Sequence, residues 1–241
     1  SADVVMAAPL SAALEHIDQM APLPSAHTAL RRETQVQRAR VLDAETQGAM
    51  VTQAPFDPRG AVALLQASFP EDTVWTSDIG NHLLAASRHL CLDLPDTFHT
   101  SVGLGGMGSG IGVAMGLAQA FGDTRRVVGI CGDGSFRMVG AELATCAKYG
   151  IPVVLAVFND ARFGMVAHGM KTVYDRVDYC DAPAVDVVGF ARSLGVQAVR
   201  VESVRDVIQA ASRSGAGPLV LDIPIDPDVR ISNPRNKTLA H

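Results

Sequence analysis

The sequence predicts an α/β fold: a parallel sheet of about six strands with helices on both faces, preceded by a helical segment. Three observations support this prediction. From residue 57 onward, apolar runs alternate with segments whose apolar residues have helical spacing. The runs at 126–131 and 152–158 are almost entirely apolar, which is typical of parallel strands buried on both faces. With 241 residues, 48% of them hydrophobic, the chain is long enough to bury such a core.

The alternation predicts each element in turn. Strands are predicted at 73–76, 126–131, 152–158, 197–201 and 218–223. Helices are predicted at 60–69, from 83 onward, and at 109–121, 139–149, 184–194 and 204–212. These elements form one domain over 55–228, and 229–241 is a polar tail.

Residues 1–54 differ from the rest in composition. Helical segments are predicted at 12–20 and 29–47, and the second is rich in Arg, Glu and Gln with few apolar positions. A helix of that kind needs a partner surface or lies across one. Prolines at 22, 24, 55 and 58 punctuate the region.

Composition and spacing argue against several classes of protein. The net charge is −5 and no Lys/Arg cluster resembles a nucleic-acid-binding surface. The four cysteines are widely spaced with no C-x-x-C pair, which suggests neither a zinc site nor an iron–sulfur cluster. No basic leader and no run of 18 apolar residues is present, so we expect no signal peptide, no membrane span and a cytoplasmic protein with reduced cysteines.

The most informative stretch runs from Gly132 to Met165. Gly132-Asp133-Gly134-Ser135 follows one apolar run, and Asp160 follows the next. Because parallel strands end at the same edge of a sheet, Asp133 and Asp160 should lie side by side. Gly134 lets a phosphate approach the backbone, and two carboxylates beside a phosphate suit Mg²⁺. Gly-Asp-Gly taken alone is equally compatible with a simple turn.

Several motifs in fixed order resemble the diphosphate-binding half of thiamine-diphosphate enzymes, above all the catalytic subunit of acetolactate synthase. They are 132–135, then Glu142-Leu143-Ala144-Thr145, Ile151-Pro152-Val153, Asn159-Asp160 and Phe163-Gly164-Met165-Val166. The resemblance covers roughly residues 55–225. It implies that 55–228 is the diphosphate-binding domain and that 1–54 is a helical connector into it.

The resemblance implies a set of site residues. Those at the cofactor are Gly80, Asn81, His82, Gly105, Met107, Gly132, Gly134, Ser135, Phe163, Gly164 and Met165. Those holding Mg²⁺ are Asp133, Asp160 and the main-chain carbonyl of Arg162. Two of these positions depart from the family pattern: Asn81 stands for the usual Gln, and Asp160 for the usual Asn.

The segment after Val166 departs further. Acetolactate synthases carry Gln, Trp and an acidic residue in this loop, which tends to face the substrate, and this chain has Ala167-His168-Gly169-Met170-Lys171. His168 and Lys171 are therefore candidate acid–base or carboxylate-binding groups. They are equally compatible with solvated loop residues. This difference argues against assuming ordinary acetolactate synthesis.

The resemblance implies a carboligase or decarboxylase that acts on a 2-oxo acid, with pyruvate as the expected substrate and thiamine diphosphate and Mg²⁺ as cofactors. In the family the activating Glu lies on a separate pyrimidine-binding domain, for which this chain has no room. We therefore expect one subunit of a split enzyme, a heterotetramer with a partner that carries that Glu. No flavin is expected.

Three alternatives stay open. A non-catalytic assembly or regulatory subunit is compatible with Asp160. A ferredoxin-coupled 2-oxoacid oxidoreductase would share the diphosphate motif but normally has cluster-binding cysteines. A nicotinamide dehydrogenase depends only on the G-x-G-x-x-G pattern at Gly103, Gly105 and Gly108, which follows a polar segment rather than an apolar strand.

Overall fold

The computed structural model describes residues 48–213, 215 and 217–231. The helical segments predicted at 12–20 and 29–47 lie outside the described residues, as does the tail after residue 231. Residues 48–54 pack on the sheet domain, where the Ala54 amide donates to the Glu202 carbonyl at 2.9 Å. None of the described helices is long and apolar enough to cross a membrane.

The described residues form a six-stranded, fully parallel sheet. Its strands are β1 Val74–Ser77, β2 Phe98–Thr100, β3 Val127–Gly132, β4 Val153–Asn159, β5 Gln197–Arg200 and β6 Leu219–Pro224. Their order across the sheet is β2-β1-β3-β4-β6-β5. The helices are α1 Pro58–Ser68, α2 Asn81–His89, α3 Ser109–Phe121, α4 Asp133–Val139, α5 Leu143–Tyr149, α6 Gly164–Tyr174, α7 Val187–Ser193 and α8 Val204–Arg213, with a 3₁₀ turn at Gly140–Glu142.

Helices cover both faces of the sheet, because successive side chains of each strand point to opposite faces. Val128 and Ile130 of β3 pack in one apolar cluster with α1, α2 and α8. Val127 and Cys131 of the same strand pack in a second cluster with α3, α5 and α7. Both faces of the central strands are thus buried, which explains their continuous apolar sequences. The predicted α/β fold with six parallel strands is confirmed.

The helix predicted at 139–149 is wrong in its start and its continuity. Helix α4 begins at Asp133, directly after β3, and the chain passes through the 3₁₀ turn before α5. Gly140 lies at the break, where an added Cβ would be 3.3 Å from the Phe136 ring. The backbone leaves helical geometry one residue earlier, at Val139, with φ −132° and ψ 3°.

Two other segments differ from the sequence prediction. The segment 167–171, expected to be a loop, lies inside helix α6. Phe98–Thr100, a polar segment with no strand predicted, forms the edge strand β2 and is only half-buried. An edge strand packs less of its surface in the core, so its sequence lacks the apolar run that marks the central strands.

The strand order places a crevice at the carboxyl edge of the sheet. From β1 the chain moves outward to β2 and then returns across β1 to β3. In β1 and β3 the neighbouring residues near the carboxyl end are Ser77 and Ile130. Ligands of open α/β sheets bind where the strand order reverses in this way.

Candidate functional site

A cavity of about 240 Å³ lies at this reversal, beyond the carboxyl ends of β1, β3, β4 and β6. All predicted cofactor and metal residues line it: Gly80, Asn81, His82, Gly105, Met107, Gly132, Asp133, Gly134, Ser135, Asp160, Arg162, Phe163, Gly164 and Met165. His168 lines it as well. Four segments far apart in sequence, 80–82, 105–107, 132–135 and 160–168, therefore converge on one space.

Lys171 is not among the lining residues. Its ammonium forms an ion pair at 2.7 Å with Asp175, the residue that directly follows α6, and the Asp175 side chain is exposed. That hydrogen bond and the charge of Lys171 lower the pKa of Asp175. The structure thus separates Lys171 from the residues with which the sequence prediction grouped it.

Three polar atoms at the cavity have no hydrogen-bond partner among the described residues. They are Asp133 Oδ2, Ser135 Oγ and His82 Nε2, and all three are buried. A buried polar group without a partner costs about 1–3 kcal/mol, so three at one cavity are unfavourable unless a polar ligand satisfies them. The three groups are a carboxylate, a hydroxyl and a ring nitrogen. Together they fit a site in which an anion is bound through a cation.

The backbone at Gly134 is open to the same cavity. A Cβ added to Gly134 would lie 3.1 Å from Met107 Cε and 3.1 Å from Phe163 Cε1. Any side chain here would fill the space between these two residues. The glycine therefore leaves a space in which a ligand can approach the main chain.

The two carboxylates of the cavity destabilise each other. Burial raises the pKa of Asp160 to about 6, the charge of Asp133 adds to the rise, and the hydrogen bond from the Arg162 amide at 3.2 Å opposes it. Burial also raises the pKa of Asp133, opposed by a main-chain hydrogen bond from Gly134. A divalent cation between them would favour both charged forms.

No group of three or more His, Cys, Asp or Glu side chains converges as a metal site in the part of the chain that the structure describes. A cation held by Asp133 and Asp160 therefore needs other oxygens. Mg²⁺ commonly takes one or two carboxylates and completes its octahedron with waters and phosphate oxygens. The residues present fit a magnesium–diphosphate pair better than a metal bound by protein alone.

The comparison with known proteins agrees with this geometry. A family model described as "Thiamine pyrophosphate enzyme, C-terminal TPP binding domain" matches residues 78–223. This range begins directly after β1 and contains β2 to β5 and all of β6 except Pro224. The chain belongs to this thiamine-diphosphate enzyme family.

Individual members share a substantial part of the sequence. The chain is 33% identical over 189 residues to "Probable acetolactate synthase large subunit" of Methanococcus aeolicus, covering 74% of this chain and 31% of that protein. It is 31% identical over 172 residues to "Acetolactate synthase" of Bacillus subtilis (strain 168), covering 70% and 30%. The chain thus spans about three tenths of the length of these relatives.

A solved structure shows the same fold. The thiamine diphosphate-dependent 4-hydroxybenzoylformate decarboxylase of Rhodococcus jostii RHA1 superposes with a TM-score of 0.68 at 26% identity. The match covers 76% of this chain and 35% of that one. The thiamine-diphosphate enzyme fold predicted from the motifs is confirmed.

In the present chain, burial keeps the His82 ring uncharged near neutral pH. Burial lowers the pKa of His82 to about 4, and the charge and main-chain carbonyl of Asp78 only partly oppose the shift. Its ring packs edge-on against Phe158, with 6.5 Å between ring centroids. Near neutral pH His82 therefore carries no positive charge, and its buried Nε2 is left for a polar ligand.

The sequence prediction missed the role of Asp78, a buried carboxylate directly after β1. Its Oδ2 accepts from the Gly108 amide at 2.7 Å and its Oδ1 from the Gly110 amide at 3.0 Å. Gly108 has φ +91°, a conformation that favours glycine. Asp78 thereby fixes the glycine turn that carries Gly105 and Met107 to the cavity. An acid after a strand was visible in the sequence, but its partners 30 residues away were not.

The segment after β6 was missed as a cavity wall. Ile225, Asp226, Pro227 and Val229 all line the cavity. The Ile225 amide donates to the Asn159 carbonyl at 3.0 Å, which ties this wall to the end of β4 beside Asp160. Apolar and proline residues in a terminal segment carry no ligand signature, so only the topology reveals the wall.

Proposed function

We propose that this chain supplies the diphosphate- and Mg²⁺-binding side of a thiamine-diphosphate-dependent carboligase or decarboxylase acting on a 2-oxo acid such as pyruvate. The observation that carries the proposal is the set of partnerless buried atoms at one cavity: Asp133 Oδ2, Ser135 Oγ and His82 Nε2. The acetolactate synthase and decarboxylase relatives support the reaction class.

Each wall of the cavity has its own task in this proposal. Asp133, Asp160 and the Arg162 carbonyl would hold Mg²⁺, and Asn81, His82 and Ser135 would contact the diphosphate. Gly105 and Met107, on the turn fixed by Asp78, would support the aminopyrimidine end. Bound thiamine diphosphate supplies the carbanion-stabilising chemistry that removes CO₂ from a 2-oxo acid. The protein binds and orients it and excludes water.

We further propose that a second polypeptide completes the site, in a heterotetramer, by bringing the activating Glu that the family resemblance implies. Support comes from apolar side chains left exposed beside the cavity. Leu104 is fully exposed next to Gly105, and Val166 and Phe163 line the cavity and are exposed. Exposed apolar residues grouped at a ligand site are typical of surfaces that another protein segment covers.

A non-catalytic assembly or regulatory subunit is the second candidate. The observation that favours it is Asp160, because an additional carboxylate places negative charge beside a diphosphate. A nicotinamide dehydrogenase is not favoured. Family membership accounts for the glycine turn at 103–108, and the strand before this turn is the short edge strand β2.

The first experiment is native mass spectrometry of protein purified gently from its source, followed by calorimetric titration of thiamine diphosphate in the presence of Mg²⁺. We expect cofactor and metal to be retained, and Asp133→Asn to lose at least tenfold in cofactor affinity. Asp123→Asn, an exposed substitution remote from the cavity residues, serves as the control and should bind normally.

The outcomes separate the candidates. Binding of thiamine diphosphate together with CO₂ release from pyruvate supports the enzyme. Binding without turnover in the assembled complex favours the non-catalytic subunit. A wild-type complex that binds no thiamine diphosphate would overturn the proposal. If the 241-residue chain alone showed full turnover, the proposed second polypeptide would be wrong.

A further inference from the structure

The ring of His168 is held at both nitrogens by the chain itself. His168 lies on α6, and its Nε2 is 3.0 Å from the Pro227 carbonyl oxygen. A carbonyl oxygen can only accept, so Nε2 carries the proton. Nδ1 lies 3.0 Å from Nδ2 of Asn81. In the neutral ring Nδ1 is therefore the acceptor and the Asn81 amide the donor.

Asn81 is the partner of His168 that lies next to the candidate metal and diphosphate site. It is the first residue of α2 and lines the cavity. A Cβ added to Gly164 would lie 2.7 Å from Asn81 Nδ2 and 2.8 Å from Asp160 Oδ2. The Asn81 amide is thus packed beside the carboxylate that we assign to the metal.

The other end of the contact is the wall after β6. Pro227 lies between two hydrogen-bonded positions. On one side the Ile225 amide donates to the Asn159 carbonyl, and on the other the Asp228 amide donates to the Asp226 carboxylate at 2.9 Å. His168 therefore connects this wall with the Asn81 amide across the cavity. Asn81 and the segment containing His168 are also two places where the chain departs from the family pattern, and the structure brings these departures into contact.

We propose that His168 is a positioning residue that fixes the direction of the Asn81 amide and couples it to the cavity wall at 225–229. The inference rests on the proposed function, in which Asn81 faces the diphosphate. It differs from the acid–base role predicted from the sequence, since both ring nitrogens are engaged within the protein. Loss of the two hydrogen bonds frees the amide to turn and releases the wall.

Two substitutions test the role on the full chain in its complex. His168→Phe keeps a ring of similar volume and removes both nitrogens, and we expect its affinity for thiamine diphosphate with Mg²⁺ to fall about tenfold. His168→Gln keeps one acceptor and one donor, and we expect it to retain affinity within about threefold of wild type. Urea unfolding of both variants checks that the difference does not come from stability.

Coupling and tautomer provide readouts that a merely structural role would not change. Asn81→Ala combined with His168→Phe should weaken binding by clearly less than the sum of the two single losses in free energy, because both changes remove the same contact. ¹⁵N NMR of the cofactor-free wild-type chain should show a protonated Nε2 and an unprotonated Nδ1 for His168.

Each failure points to a different error. A wild type that binds no thiamine diphosphate overturns the proposed function, and the role of His168 at the cofactor with it. A wild type that binds, with a His168→Phe variant that binds equally well, overturns the positioning role alone. The role is also wrong if His168→Gln loses turnover while its cofactor affinity stays normal, as expected for an acid–base group. A ring protonated at Nδ1 would contradict the hydrogen-bond assignment.

Discussion

Asn159, the last residue of β4, donates from its side-chain amide to Oδ1 of Asp222 at 2.9 Å. Asp222 is a buried carboxylate in the middle of β6, and its other oxygen pairs with Arg200 of β5. The residue that begins the turn to Asp160 is thus anchored to a charged pair in the sheet. The position of the candidate metal carboxylate depends on two strands that contribute nothing to the cavity surface themselves.

We predict that Asp222→Ala lowers the free energy of unfolding by about 2 kcal/mol, since it leaves the half-buried Asn159 amide without its acceptor and Arg200 without its ion pair. The exposure of Arg200 limits the loss, because water solvates its free guanidinium. Urea unfolding measures the change. Asp123→Ala, an exposed acid in a loop, is the control, and an equal effect in both variants would contradict the assigned anchor.

The sheet could be predicted from the sequence because its central strands are buried on both faces. The predicted strand 152–158 and the observed Val153–Asn159 differ by one residue, and β6 agrees equally well. The edge strand β2 and helix α6 were missed for a physical reason. Their residues are only partly buried, so their composition is set by tertiary neighbours rather than by a periodic apolar pattern.

The candidate site was predictable where its chemistry is local. Gly132 to Ser135 and Asp160 follow adjacent parallel strands, and the topology brings them together. The contact between Asn81 and His168 joins residues 87 positions apart, and no spacing rule predicts it. Asp78 and the wall at 225–229 were missed for the same reason, because their role depends on where distant backbone groups lie after folding.

His82 makes stability depend on pH. Its pKa is about 4 in the folded protein against 6.5 in the unfolded chain. Between these values the unfolded state binds a proton that the folded state does not, so this contribution is fully present above pH 6.5 and is lost as pH falls toward 4. The expected loss is on the order of 3 kcal/mol.

The stability difference between wild type and His82→Gln isolates this contribution, because the variant has no titrating ring at that position. Urea unfolding from pH 7 to pH 4 should show the wild type losing stability relative to the variant. Two curves that run parallel over this range would mean that His82 is solvated in the folded protein.

Asp160→Asn should stabilise the metal-free protein at pH 7. The change removes one of two neighbouring desolvated carboxylates and keeps an oxygen for the Arg162 amide. We expect a gain of about 2 kcal/mol in the free energy of unfolding. Millimolar Mg²⁺ should stabilise the wild type more than the variant, because only the wild type offers two charges to the cation.

Unfolding of both proteins with and without Mg²⁺ measures these effects, and Asp123→Asn controls for the removal of a negative charge elsewhere. A variant less stable than wild type without Mg²⁺ would show that Asp160 is stabilised by the protein alone. Asp133 and Asp160 would then stabilise the fold rather than form a binding site for a cation.

Gly134→Ala should separate ligand binding from folding. The added methyl group would contact Met107 Cε and Phe163 Cε1 at 3.1 Å, and the end of a methionine side chain can move to accommodate it. Alanine also favours the helix that contains the position, so we expect stability within about 1 kcal/mol of wild type. The methyl group would nevertheless occupy the space over the backbone, and affinity for thiamine diphosphate should fall at least tenfold.

Gly112→Ala on α3 is the matched control, since its Cβ would meet nothing within 4 Å, and it should keep normal affinity. Calorimetric titration of both variants decides, and equal affinities would place the diphosphate away from Gly134.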